Sequence, residues 1–125
     1  MTTPVQIIQW TFQQCIQLIN MYIQNPIIIF SEILPRIFYK GAMNQRKVEK
    51  LRKTLNRRIR ALMGRYGGHV IRHPDFTQDQ VQLYREDGTH LTAEGNDLFL
   101  NDIEGGLRYF QLYPHLFVYP PFPTR

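Results

Sequence analysis

The stretch QRKVEKLRKTLNRRIRALMGRYGGHVIRH, residues 45–73, holds a helix, its stop signal and a strand, and that succession decides the fold. Val48, Leu51, Leu55, Ile59, Leu62 and Tyr66 recur every three or four residues, with Arg or Lys over most of the remaining surface. Residues 45–66 therefore read as an amphipathic helix. Gly67 and Gly68 end it, since glycine supplies the left-handed backbone that closes a helix. HVIRH, residues 69–73, is then a short strand, and His73-Pro74-Asp75 leads from it into a polar loop.

Upstream, PIIIF at residues 26–30 is β-branched and apolar throughout, as expected of a parallel strand covered on both faces. Strand, helix and strand in this order outline a right-handed βαβ crossover. SEILPRIFYKGAMN, between the first strand and the helix, reads as an irregular connection. Residues 5–24 form another amphipathic helix. Ile8, Phe12, Cys15, Ile16, Ile19 and Ile23 make its apolar stripe, and Gln6, Gln9, Gln13, Gln17 and Asn20 its polar face. On that stripe Cys15 is expected to be a buried, inert thiol.

Downstream, Thr92 is an N-cap signal for a last helix that sends Leu98, Phe99, Ile103 and Leu107 to the core, with Gly105 and Gly106 weakening its end. Residues 111–125 form an aromatic, proline-rich tail suited to covering a sheet face or edge. The fold class is thus α/β: a partial flavodoxin-like three-layer arrangement with a two-strand parallel core, occupying residues 1–110 and followed by the tail. So short a sheet leaves an apolar edge, which points to self-association.

With 125 residues, 43% of them hydrophobic, the chain suits one modest domain. Its net charge of +5 is unevenly placed. Residues 1–72 carry twelve Lys and Arg against two acids, and residues 73–125 three against eight. Arg46, Lys47, Lys50, Arg52, Lys53, Arg57, Arg58 and Arg60 concentrate the positive charge on one helix. That helix is a solvated face or a contact surface for nucleic acid or another acidic partner. No aromatic residue is interleaved with these charges to stack bases.

The single cysteine excludes an internal disulfide and fits a reducing, intracellular setting. The uncharged N-terminus lacks the basic region and small-residue cleavage site of a signal peptide. Its regularly spaced amides also argue against a membrane span, which needs about 20 mainly apolar residues.

Residues 84–100, YREDGTHLTAEGNDLFL, bring Asp87 and His90 onto a glycine turn ahead of the last helix. A carboxylate so placed can fix the tautomer of a histidine acting as general base. Asp-Gly followed by a Thr cap is equally a well-made turn, and spacing alone leaves both readings open. A metal site of His73, Asp75, Asp87 and His90 is a further arrangement of the same residue types. His73 and Asp75, at a strand end, more simply serve as turn residues.

The wider stretch DGTHLTAEGNDLF closely resembles the last block of the SGNH (GDSL-like) hydrolases, in which an Asp-x-x-His loop supplies the acid and base of a Ser-His-Asp triad. IIIFSEILPR, KVEKLRKTLNRRIRALMGRYGGHVIRHPDF and DGTHLTAEGNDLFLNDIEGGL are similar, in that order, to the C-terminal half of SGNH-like proteins from vertebrate genomes, some of them linked to retroelements. The resemblance covers most of residues 5–108. It implies ester hydrolysis with Asp87 as triad acid and His90 as base, and no cofactor.

The family's Gly-Asp-Ser nucleophile block, and the glycine and asparagine blocks of its oxyanion hole, are absent here. Ser31, the only serine, aligns with the end of the penultimate strand, and its neighbours Phe30 and Glu32 are larger than a nucleophile elbow uses. Ser31 is therefore not expected to be the nucleophile. The chain is expected to be inactive alone and to take an ester substrate only when completed by an N-terminal half.

Overall fold

The computed structural model describes residues 2–121. Helix α1, Pro4–Tyr22, starts at Thr3, whose hydroxyl accepts from Gln6 N while the Gln6 amide oxygen accepts from Thr3 N. This reciprocal pairing satisfies two N–H groups that a helix start leaves without partners. Strand β1, Ile29–Ser31, is followed by α2, Gln45–Arg65, where Asn44 caps the start by accepting from Lys47 N at 3.0 Å. Next come β2, His69–Ile71, a 3-10 turn at Val81–Leu83, α3, Ala93–Leu112, and β3, Val118–Tyr119.

The sheet has three parallel strands in the order β1, β2, β3, one more than expected. Ile29 lies opposite His69, Ser31 opposite Ile71, and Val70 opposite Val118. The additional strand comes from the aromatic tail, whose residues 122–125 fall outside the described residues. The first strand is shifted from its expected place at residues 26–30. His69 N donates to Ile28 O and Glu32 N to Ile71 O, both at 2.9 Å, so the ladder is centred on Phe30 and Ile27 remains exposed.

Pleating divides the core between the two faces. Phe30 and Val70 pack with Ile16 of α1 and with Leu55, Ile59, Leu62 and Met63 of α2. On the other face α3 approaches the strands, and the His69 and Phe110 rings lie 4.5 Å apart. Ile59, Leu62 and Val70 have no exposed surface. Fully burying an aliphatic side chain of this kind contributes roughly 1.5–3 kcal/mol.

Several expected apolar stripes are only partly covered: Ile16, Leu55, Ile59 and Leu62 are buried and Leu98 and Phe99 pack on a second apolar cluster, but other members are not. Leu107 is exposed, and the buried positions of α3 are Gly95, Gly106 and Phe110. The helix does not end at Gly105 and Gly106 but continues through them to Leu112. A Cβ on Gly106 would lie 2.5 Å from Cδ1 of Ile71, so the missing side chain is what lets α3 approach the sheet. Leu51 on α2, Ile8 and Cys15 on α1, and the residues just after these helices, Tyr66 and Ile23, are exposed as well. Cys15 is therefore not the buried thiol expected of it. Of α1, only a narrow strip through Val5, Phe12 and Ile16 joins the core.

Candidate active site

Two features hold the Asp87 to His90 segment. Tyr84 and Leu91 form an antiparallel bridge, and Arg85 N donates to His90 O at 2.8 Å. Between them the chain reverses at Gly88, whose φ of +69° suits glycine, and Gly88 N donates to Arg85 O at 2.9 Å. Gly88 O accepts from Ile37 N at 2.9 Å and Phe38 N at 3.3 Å, tying the turn to the connection after β1. Beneath lies a second apolar cluster of Phe76, Leu83 and Tyr84, with Leu34, Ile37, Leu91, Leu98 and Phe99 against it. Burial pushes the Tyr84 hydroxyl up to about 12, and it donates to Pro35 O.

Oδ1 of Asp87 accepts from Thr89 N at 2.9 Å and His90 N at 3.0 Å, and Oδ2 contacts Nδ1 of His90 in a close hydrogen bond. The His90 side-chain bond, then the two backbone N–H groups, hold the Asp87 carboxyl well below the usual carboxylate range. An ionised Asp87 selects the Nδ1–H tautomer of neutral His90 and leaves Nε2 as acceptor. The His90 side chain is 73% exposed, so the imidazole faces solvent. Arg36, Phe38 and Lys40 line a cleft of about 480 Å³ together with Glu86, Asp87, Thr89 and His90.

The structure also joins three residues that the sequence reading kept apart. Ser31 Oγ lies 2.7 Å from His73 Nε2, and His73 Nδ1 lies 2.8 Å from Asp102 Oδ2. The His73 side chain is 2% exposed and stacks on Phe99 at 4.8 Å, with Phe76 edge-on at 6.1 Å. Burial pushes the Asp102 carboxyl up, the hydrogen bond with His73 opposes this, and nearby Asp75 adds to the rise. Asp102 was missed because nothing in sequence links it to His73. The available signal was an acid between the covered positions Phe99 and Gly106 of an amphipathic helix.

His73 and Asp75 do not join Asp87 and His90 at a metal site. Among the described residues, no group of three or more His, Cys, Asp or Glu side chains is placed to hold a metal ion. The basic helix divides into two sets. Arg52 is held by Glu49 at 2.8 and 2.7 Å and by Ile33 O at 2.8 Å, and Arg60 pairs with Glu32. Burial pushes Glu49 up, but Arg52 and Tyr39 outweigh it and hold the carboxyl low. Arg46, Lys47, Lys50, Lys53, Arg57 and Arg58 are exposed. Three of these, Arg46, Lys50 and Lys53, line a groove of about 450 Å³ with Ile37, Gln45, Glu49 and Gln78.

Among the described residues, no helix is long and apolar enough to cross a membrane. Comparison with family models, curated proteins and solved structures returned no match.

Proposed function

We propose that the chain is the acid and base part of an SGNH-type ester hydrolase, with His90 as general base and Asp87 as the residue that orients it. The contact between Asp87 Oδ2 and His90 Nδ1 on a solvent-facing turn carries this reading. It leaves Nε2 available to take a proton from a nucleophile, the task this pair has in the family the sequence resembles. The nucleophile and oxyanion donors belong to a segment carrying the Gly-Asp-Ser block, which adds strands at the free edge of β1 to complete a flavodoxin-like sheet. The strand order supports this. β1 is an outer strand, and among the described residues no strand pairs with its far side.

The reading frame upstream of the Met1 codon tests the proposal. An in-frame Gly-Asp-Ser block is expected there, and a stop codon in its place overturns the two-part enzyme.

A second reading is that α2 binds a polyanion without chemistry. The groove with Arg46, Lys50 and Lys53 along one wall favours it, since cations in a row match phosphates in a row.

A further inference from the structure

We propose that Ser31 is the nucleophile of a second acyl-transfer site, with His73 as its general base and Asp102 as the residue that positions the imidazole. The site does not rest on the reading of Asp87 and His90. It stands on three side chains from β1, the segment after β2 and α3, joined by contacts of 2.7 and 2.8 Å. With Asp102 ionised, Nδ1 carries the imidazole proton and donates to it, so Nε2 accepts the Ser31 hydroxyl proton. This is the connectivity that makes a serine hydroxyl nucleophilic.

Position supports the assignment. Ser31 ends β1, and His73 lies just beyond the C-terminal end of β2, the rim where parallel α/β sheets place their chemistry. Ser31 is partly exposed, whereas His73 is buried between aromatic rings. Exclusion of water around the imidazole strengthens its bonds to both partners.

With a small ester, Ser31 Oγ attacks the carbonyl carbon while its proton passes to His73 Nε2. The bond to the alcohol oxygen breaks, the departing alkoxide takes the proton from Nε2, and the acyl group remains on Oγ. Water then attacks the acyl carbon with His73 Nε2 accepting its proton, the bond to Ser31 Oγ breaks, and Nε2 returns the proton to Oγ, releasing the acid and restoring both residues.

The test is the reaction of the 125-residue chain with an alkyl fluorophosphonate, followed by peptide mass spectrometry. Attack forms the Oγ–P bond, breaks the P–F bond and releases fluoride. The expected adduct is on Ser31, and labelling slows at least about a hundredfold in His73→Gln, the range of general-base assistance. His73 is buried, so Asp102→Asn supplies a second variant of similar shape, and labelling is expected to slow in it too while amide exchange in the core stays protected. A residue that merely braced the sheet would not alter serine reactivity in that folded variant. No adduct on Ser31, or an equal rate in folded Asp102→Asn, overturns the proposal. Failure here leaves the Asp87 and His90 reading standing, because that reading places the nucleophile outside this chain.

Discussion

His73 Nδ1 lies 2.8 Å from Asp102 Oδ2, so α3 is tied to the segment after β2 by a bond between an almost wholly buried imidazole and a carboxyl that burial pushes up. The exposed carboxyl of Asp87 is displaced the opposite way by His90 and two backbone N–H groups.

These opposite displacements give opposite pH dependences. For Asp102, a folded value above the unfolded one of about 3.9 means that its contribution is full below that pH and lost as pH rises through the folded value. For Asp87, the contribution is present above about 3.9 and lost as pH falls through the depressed folded value. Urea midpoints measured across acid to neutral pH should therefore show Asp102→Asn gaining on the wild type as pH rises. Asp87→Asn should lose ground over the acid range. Parallel curves for both variants would contradict the assigned environments.

Gly106→Ala tests the close approach of α3 to the sheet. Alanine is favoured over glycine in a helix by about 1 kcal/mol. Here the added Cβ would stand 2.5 Å from both Cγ1 and Cδ1 of the buried Ile71. Overpacking of a core costs about 1–3 kcal/mol, so net destabilisation is expected in chemical unfolding. A stabilised variant would show that α3 sits farther from β2.

Gly88→Ala tests the turn. It places a Cβ at φ +69° and 2.9 Å from Phe38 N, where backbone must move. Such strain costs about 1–3 kcal/mol. Resonances of Asp87, Thr89 and His90 should shift together while those of Ile59 and Leu62 do not. An unchanged His90 side-chain spectrum would mean that the turn does not set the pair.

The two sets of α2 cations should separate under mutation. If the groove binds duplex DNA, Lys50→Ala weakens binding and lowers the salt slope by about 0.9 for one lost phosphate contact. Arg52→Ala should instead lower fold stability, because it releases Glu49 and Ile33 O. Salt-independent binding, or none at low salt, removes the second reading.

The α/β class was legible because helix and strand periodicities switch at Gly67 and Gly68, and the span of α2 follows from its apolar repeat. The place of β1 was not. An unbroken apolar run has no alternation to set its register, which is fixed here by Ile28 O and Glu32 N bonding to β2. Cys15 was misplaced because a helix covered by one neighbour needs only part of an apolar stripe that its sequence makes wider. The Asp87 and His90 contact was readable because local turn chemistry makes it. Ser31, His73 and Asp102 required the fold, since 42 and 29 positions separate the bonded pairs. The tail was expected to cover a sheet face or edge, but nothing marked Val118 and Tyr119 as a strand pairing with β2, because a short aromatic, proline-rich segment carries no strand periodicity.

Asp87 and His90 are proposed as the acid and base of a two-part ester hydrolase. p-Nitrophenyl acetate hydrolysis by the chain joined to its upstream Gly-Asp-Ser segment, in a Ser31→Ala background, is the deciding measurement, since the second site is then silent and the upstream serine is the nucleophile that His90 activates. Turnover above the buffer rate is expected, falling back towards it on His90→Ala with the protein still folded. Turnover unchanged by His90→Ala would contradict it.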